Sequence, residues 1–155
     1  MQTITHIKEA SEIDVVIERV REEDYKNITK ARFFFNWKTE KDNEVYKLTL
    51  AGTDEILGLM SLVNYPDEQR YQINLLSVSK ENRGKNKVYA GIAGNLIAYA
   101  CRESIKAYGA DACVSLHPKT ELKAHYIAQY GMMDAGMQVF VEGINLFRLL
   151  EKYKI

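Results

Sequence analysis

The chain has 155 residues, a length that suits one domain built around one hydrophobic core. Its 21 basic and 21 acidic residues balance, so the overall charge gives no reason to expect a nucleic acid or an anionic membrane as partner. No apolar run approaches the roughly 20 residues of a membrane-spanning helix, and the N-terminus lacks the apolar region of a signal peptide. We therefore expect a single cytoplasmic domain over residues 1–155, with no nucleic acid and no membrane as partner.

The only two cysteines, Cys101 and Cys113, stand in apolar runs. They are predicted to be buried free thiols in a reducing compartment. Neither a CxxC pair nor the Cys/His spacing of a zinc site occurs, so the sequence predicts no metal site.

The first half of the chain predicts an antiparallel meander of strands. Residues 14–20 form a candidate first strand, and residues 22–34 have helical periodicity. Residues 44–52 alternate between apolar and polar side chains, as a half-buried strand does. Residues 56–65 and 71–79 follow as two further strands, each after a turn sequence. The last strand is the richest in apolar residues and is predicted to be central in the sheet.

The second half predicts a parallel crossover. Residues 88–108 carry apolar residues every 3.6 positions, which indicates a helix of about five turns that ends at Gly109. A strand, a helix, a strand and a terminal helix are predicted next, at residues 111–117, 120–130, 137–141 and 144–153. A strand, a long helix and a further strand make a parallel pair, so residues 71–79 and 111–117 are expected to be parallel neighbours. The predicted class is α/β with a mixed sheet flanked by helices.

Two glycines stand where the long helix is predicted to begin. Gly91 and Gly94 follow a loop that contains Arg83, Lys85 and Lys87. A helix N-terminus offers unpaired N–H groups and a partial positive charge, and a glycine lets an anion approach closely. The basic side chains could contact further phosphates. The alternative is that the glycines only allow close packing of the helix on the sheet.

Residues 91–97, Gly-Ile-Ala-Gly-Asn-Leu-Ile, resemble the G-[IV]-[GA]-x-x-L-[LI] segment of the GCN5-related N-acetyltransferase (GNAT) superfamily. In that family the segment opens the long helix and holds the pyrophosphate of acetyl-CoA. The order of elements over residues 44–140 is also similar, and residues 126–132 resemble the family's YxxxG[FM] stretch. The resemblance implies a divergent member with the GNAT fold, in which the parallel strand pair splays apart.

The resemblance also implies an activity. The chain would be an acyl-CoA-dependent N-acyltransferase, with acetyl-CoA or another acyl-CoA as co-substrate and a small-molecule or peptide amine as acceptor. The amine would attack the thioester directly in a ternary complex. The residues that the resemblance assigns to the acyl-CoA are Leu76, Ser77, Val78, Arg83, Lys85, Lys87, Val88, Tyr89, Ala90, Gly91, Ile92, Ala93, Gly94 and Asn95.

The loop before the helix departs from the family pattern [QR]-x-x-G-x-[GA]. Aligned on Gly91, the first position is Val88, and the RGK-like triplet at residues 83–85 stands about five residues too early. Either the loop carries an insertion or the register differs. We expect the amides of residues 88–93 to bind the phosphates, with the lysines assisting.

Three residues are candidate catalytic groups. The family's usual tyrosine acid aligns with Ile127, so the adjacent Tyr126 is the first candidate to protonate the leaving thiolate, although its helical spacing to Tyr130 also fits a core stripe. His117 ends a predicted parallel strand, where active sites of such sheets open, but it could be a turn residue. Glu81 is the nearest carboxylate for a base role, with a solvated loop charge as the alternative.

An aromatic segment, Phe-Phe-Phe-Asn-Trp at residues 33–37, is expected to be core with one or two residues reaching the acceptor pocket. A pocket wall and an oligomer interface are the alternatives. The resemblance leaves a catalytically inactive GNAT-like module for CoA binding or protein interaction as the second function. An unrelated α+β interaction domain is the third. The short N-terminal region also allows a homodimer in which the second subunit completes the acceptor site.

Overall fold

The computed structural model describes residues 2–155. The strands within these residues are β1 Thr3–His6, β2 Ser11–Arg19, β3 Glu44–Leu50, β4 Ile56–Tyr65, β5 Arg70–Val78, β6 Tyr89–Ala90, β7 Cys113–Leu116, β8 Met133–Ala135 and β9 Gln138–Glu142. The α-helices are α1 Lys30–Phe33, α2 Ile92–Tyr108, α3 Lys123–Tyr130 and α4 Gly143–Lys152. No helix in this part of the chain is both long and apolar enough to cross a membrane.

The chain divides into two compact units, and β4, β5 and α2 each contribute residues to both of them. Unit 1 covers the described residues up to Ser61 together with Leu75–Leu96, and unit 2 covers Leu62–Asn74 and Ile97–Ile155.

Unit 1 contains strands in the order β6-β1-β2-β3-β4-β5. The strand β1 is antiparallel to both β2 and β6, and β2 is antiparallel to β3. The predicted strands at residues 14–20, 44–52 and 56–65 are therefore confirmed, whereas β1 and β6 were not predicted. The strand β1 has four residues and pairs mainly with the adjacent β2, and the two-residue β6 pairs with β1, which is distant in sequence. Strands this short carry only a weak signal of their own.

The segment after β2 is less helical than its periodicity predicts. A 3-10 helix covers Glu22–Asn27, and α1 has only four residues. The Thr29 hydroxyl caps α1 by accepting a hydrogen bond from the Arg32 N–H at 3.3 Å, and Phe34 ends it at φ +72°. Phe33 and Trp37 are fully buried in a core cluster, which confirms the core assignment for the aromatic segment.

The strand β3 is buried on both faces, so the expectation of a half-buried strand was wrong. Val45 packs in the core cluster with Phe33 and Trp37. Lys47, only 6% exposed, places its ammonium 2.7 Å from Asp24. Both contacts come from the segment between β2 and β3, which covers the face that the alternating pattern predicted to be in solvent.

Unit 2 contains strands in the order β4-β5-β7-β9-β8. The strands β5 and β7 are parallel from the pair Arg70 and Cys113 to the pair Ile73 and Leu116, which confirms the predicted crossover. The helix α3 ends at Gly131 with φ +66°, as the sequence predicts. The short edge strand β8 was not predicted.

The two cysteines are free, and Cys101 is buried as predicted. Cys113 is only half-buried, so that part of the expectation was wrong. Burial raises the pKa of the Cys113 thiol to about 11, with the Glu142 carboxylate adding to the shift. At neutral pH the thiol is therefore protonated and unreactive.

Candidate functional site

The start of α2 presents unpaired amides. Asn95 N–H donates to Gly91 O at 3.1 Å, which is the first intrahelical hydrogen bond of this 17-residue helix and makes Gly91 its N-cap. The amides of Ile92, Ala93 and Gly94 precede that bond and have no intrahelical acceptor. They stand at the positive end of the helix dipole, where anions are stabilised.

Gly91 keeps the approach to these amides open. Its φ is +98°, a conformation that other residues adopt only with strain. A Cβ at this position would meet only the Asn95 side-chain nitrogen, at 3.7 Å. A side chain here would occupy the space next to the amides, so glycine serves both the turn and the access.

The loop before α2 accommodates its extra residues by forming the strand β6. The pairing of Thr5 with Ala90 joins β6 to β1. The Val88 N–H donates to Glu81 O at 3.3 Å, and the Tyr89 N–H donates to the Asn82 side-chain oxygen at 2.8 Å. Both amides, which were expected to bind phosphate, are therefore already hydrogen-bonded inside the loop.

Asn82 is a supporting residue that sequence reasoning missed. Its side chain is buried, accepts from Tyr89 N–H, and donates to the Ser79 hydroxyl at 2.8 Å. It thereby joins the end of β5 to β6. An asparagine in a polar loop gave no sequence signal for this role, since the contact depends on how the loop folds back.

Asn95 was expected to contact the acyl-CoA, and its side chain is instead used internally. Its Nδ2 donates to Gly91 O at 2.7 Å and to Thr3 O at 2.8 Å, and its Oδ1 accepts from the Gln2 amide at 2.8 Å. The residue is fully buried. Its side chain therefore supports the helix start instead of contacting a ligand.

Gly58 on β4 sets how closely α2 packs on the sheet, and it was also missed. A Cβ at Gly58 would lie 2.6 Å from Ile92 Cγ2 and 3.0 Å from Leu96 Cδ1. The first turn of α2 can therefore lie directly on the β4 backbone. The sequence did contain a signal for this role, because a glycine inside an apolar strand often marks a site where another segment approaches the strand backbone closely.

The basic residues of the loop lie at the surface. Arg83, Lys85 and Lys87 are all exposed. The Arg83 guanidinium carbon lies 3.8 Å from the centre of the Phe34 ring, a cation–π contact that orients the loop. The two lysines are exposed charges close in sequence to the helix start.

The backbone of residues 76–78, at the end of β5, was expected to contact the acyl-CoA. The parallel ladder with β7 covers only Arg70–Ile73, so Leu76 and Val78 lie beyond it and are half-buried. Ser77 is buried, and its hydroxyl donates to Phe33 O at 2.8 Å. The Ser77 side chain therefore anchors the strand to α1.

Glu81 lines a cavity of about 450 Å³ together with Thr29, Ala31, Arg32 and Lys80. The Arg32 Nε donates to Glu81 Oε1 at 3.1 Å. This hydrogen bond from Arg32 holds the pKa of the Glu81 carboxyl below its usual range. A base that works near neutral pH needs a raised pKa, so the environment of Glu81 does not fit the base role predicted from the sequence.

The other two catalytic candidates lie in unit 2. His117 is exposed and lines a polar cavity of about 600 Å³ with Gln72 and Gln138 among its neighbours. The half-buried Tyr126 ring lies 5.8 Å from the ring of Tyr130. Tyr130 is buried, which places it in the core, and burial raises the pKa of its hydroxyl.

No group of three or more His, Cys, Asp or Glu side chains within residues 2–155 could hold a metal ion.

The fold defines the class of protein to which this chain is similar. Solved structures of GNAT acetyltransferases superpose on it over most of its length, so the chain has the GNAT fold. No family model matches the sequence, and no curated protein matches it either.

Three solved structures illustrate the similarity. A mutant of the spermidine N-acetyltransferase SpeG from Vibrio cholerae has a TM-score of 0.61 at 12% identity, covering 89% of this chain and 97% of its own. A GNAT family acetyltransferase from Elizabethkingia anophelis with acetyl-CoA bound has a TM-score of 0.61 at 11% identity, covering 83% and 97%. The ribosomal-protein-S18-alanine N-acetyltransferase from Escherichia coli has a TM-score of 0.59 at 14% identity, covering 82% and 91%.

Proposed function

We propose that this chain is an acyl-CoA-dependent N-acyltransferase that transfers acetyl from acetyl-CoA to a primary amine in a ternary complex. The observation that carries the proposal is the open start of α2, where Gly91 precedes three amides without an intrahelical acceptor. The GNAT fold, shared with a structure that has acetyl-CoA bound, supports it.

The residues present fit the pyrophosphate of a CoA. The amides of Ile92, Ala93 and Gly94 would donate to its oxygens, and the missing side chain at Gly91 would leave room for them. The exposed cations of the preceding loop, Arg83, Lys85 and Lys87, would contact the remaining phosphate charge. The backbone of Leu76 and Val78 is the proposed contact for the pantetheine.

When bound, acetyl-CoA supplies an activated acetyl group as a thioester. Transfer forms a nitrogen–carbon bond and breaks the carbon–sulfur bond, so the attacking nitrogen loses a proton and the sulfur gains one. Tyr126 is the proposed proton donor, since the ordinary tyrosine pKa near 10 suits protonation of a thiolate. His117 is the proposed second group for proton transfer.

A CoA-binding module without catalysis is the second candidate function. It is favoured by Ile127 at the position of the family's tyrosine and by the engagement of Glu81 with Arg32. Both candidates share the site at the start of α2 and differ only in turnover.

Thermal unfolding with added acetyl-CoA tests the proposal. A ligand that binds only the folded chain stabilises it by about 2.7 kcal/mol at a hundredfold excess over its Kd. Unfolding that is unaffected by millimolar acetyl-CoA would eliminate both CoA-dependent functions. If stabilisation is seen, release of free thiol with a panel of amines separates the enzyme from the binding module.

A further inference from the structure

The cavity in unit 1 lies next to the strand end to which the proposed function assigns the pantetheine. Its lining comes from two short segments, residues 29–32 and 80–81. The second segment begins two residues after Val78, the last residue of β5. The hydrogen bond from Ser77 Oγ to Phe33 O ties that strand to α1, the helix that supplies the other wall. A volume of about 450 Å³ is in the range of sites for small molecules.

The cation donors of this cavity are only partly used. Arg32 directs Nε and Nη2 to Glu81, and Nη2 lies 4.0 Å from Glu55, a carboxylate outside the lining. Its Nη1 makes no hydrogen bond to any other residue of the described chain. Lys80 is exposed, and its ammonium has neither an ion pair nor a hydrogen bond within residues 2–155.

The lining therefore has a surplus of positive charge. Arg32 and Lys80 contribute two cations to the lining against the single carboxylate of Glu81, which Arg32 engages. Outside the lining, Glu55 pairs with Arg32 as well, so the cation that no carboxylate matches is Lys80. A ligand carboxylate would receive charge-assisted hydrogen bonds here, whereas a second ammonium on the ligand would be repelled. The same positive surroundings would lower the pKa of the acceptor amine and favour the neutral form that can attack.

We infer that this cavity binds the acceptor, and that the acceptor is an amine carrying a carboxylate, in the chemical class of amino acids and short acidic peptides. The inference rests on the proposed function. It assigns Lys80 and Arg32 to recognition of the acceptor, a role that neither residue had in the sequence pattern. A polyamine acceptor is the opposite outcome.

Three amines of the same length test the charge preference. They are 4-aminobutyrate, butylamine and putrescine, which share an amine on a four-carbon chain and differ in whether the far carbon is a carboxylate, a methyl group or an aminomethyl group. Isothermal titration into the CoA-saturated chain should give at least about tenfold tighter binding for 4-aminobutyrate than for butylamine, with putrescine weakest. Equal binding of the three, tighter binding of putrescine, or no binding by any of them would overturn the inference.

Two lysine variants locate the preference. Lys80→Gln should reduce the preference for 4-aminobutyrate over butylamine to about two- to threefold while leaving the butylamine affinity unchanged. Lys38→Gln, an identical change at another exposed lysine of unit 1, should keep the full preference. If Lys80→Gln kept the full preference for 4-aminobutyrate over butylamine, this cavity would not be the acceptor site.

A separate titration with CoA distinguishes the two proposals. Absence of CoA binding defeats the proposed function. The three amines are then titrated into the chain without CoA, and the same order of affinities is expected. Binding of CoA without a carboxylate preference leaves the proposed function standing and defeats only the inference about the acceptor.

Discussion

Asn95 makes two hydrogen bonds to Gly91 in the first turn of α2. Its backbone N–H and its side-chain Nδ2 both donate to Gly91 O, at 3.1 Å and 2.7 Å. The same side chain also donates to Thr3 O on β1. The helix start, and with it the direction of the unpaired amides, is therefore held by the N-terminal strand.

Asn95→Ala should weaken CoA binding as well as folding. It leaves the Thr3 carbonyl without its side-chain donor, while the Gln2 amide keeps the Asn95 backbone carbonyl at 3.1 Å, and the loss costs about 1–3 kcal/mol of unfolding free energy. Urea denaturation and CoA titration measure the two effects. Ser104→Ala on the same helix removes the buried hydroxyl that bonds Cys113 at 3.0 Å, and should lower stability while keeping CoA affinity. An equal loss of affinity in both variants would mean that general destabilisation is the cause.

Gly91→Glu should abolish CoA binding, because it puts a side chain and a negative charge beside the amides of α2. Gly84→Glu is the matched control, since Gly84 also has positive φ, +75° against +98°, and open space around its Cβ position. The backbone strain is therefore similar. We expect a loss of at least about a hundredfold in affinity for Gly91→Glu and less than about tenfold for Gly84→Glu. The reverse order would assign the phosphates to the RGK-like triplet.

Gly58→Ala should disturb the helix start from the opposite side. Its Cβ would overlap Ile92 Cγ2, so the helix must shift, at a cost of about 1–3 kcal/mol and with weaker CoA binding. Ile92→Ala removes the overlapping methyl group, and the double variant should be more stable than the sum of the two single changes predicts. Additive changes in the unfolding free energy would show that the contact does not set the helix position.

Tyr126→Phe should lower kcat by about a hundredfold with little change in the Kd for CoA, as expected for loss of a proton donor. Tyr130→Phe removes a buried hydroxyl from the same helix and should affect stability more than turnover. Steady-state kinetics and equilibrium binding on both variants distinguish the roles. Unchanged turnover in Tyr126→Phe would assign Tyr126 to packing alone.

Asp24→Asn should destabilise unit 1 in a pH-dependent way. Burial raises the pKa of Asp24, but hydrogen bonds from Lys47 and the Arg21 N–H outweigh it and hold the pKa below its usual value. The ionised pair therefore stabilises the fold fully above the unfolded pKa, about 3.9, and loses that stabilisation as pH falls through the folded pKa.

The expected cost of Asp24→Asn is about 2 kcal/mol at neutral pH, since Lys47 stays buried and keeps only Glu18 at 3.7 Å. Urea midpoints measured from neutral pH downward should converge with those of the unmodified chain in acid. Glu22→Gln, which breaks the exposed pair with Lys41, should leave the urea midpoint nearly unchanged, because solvent screens that pair. A constant difference between Asp24→Asn and the unmodified chain across the pH range would contradict this assignment.

The elements that could be predicted are those whose signal is local. Alternation in β3, the apolar runs of β4 and β5, and the 3.6-residue stripe of α2 each belong to one continuous segment. A strand, a long helix and a strand also determine the parallel pair, because the handed crossover leaves few other arrangements.

Local sequence patterns suffice to predict the order of the main elements, the crossover and the glycine that begins α2. Which polar groups at that site stay unpaired depends on contacts that form only when the chain folds. The Val88 and Tyr89 amides are taken by Glu81 and Asn82, and the carboxylate of Glu81 is taken by Arg32, 49 residues away. Each amide or carboxylate bonds the partner that folding brings within reach, and no local pattern records that choice.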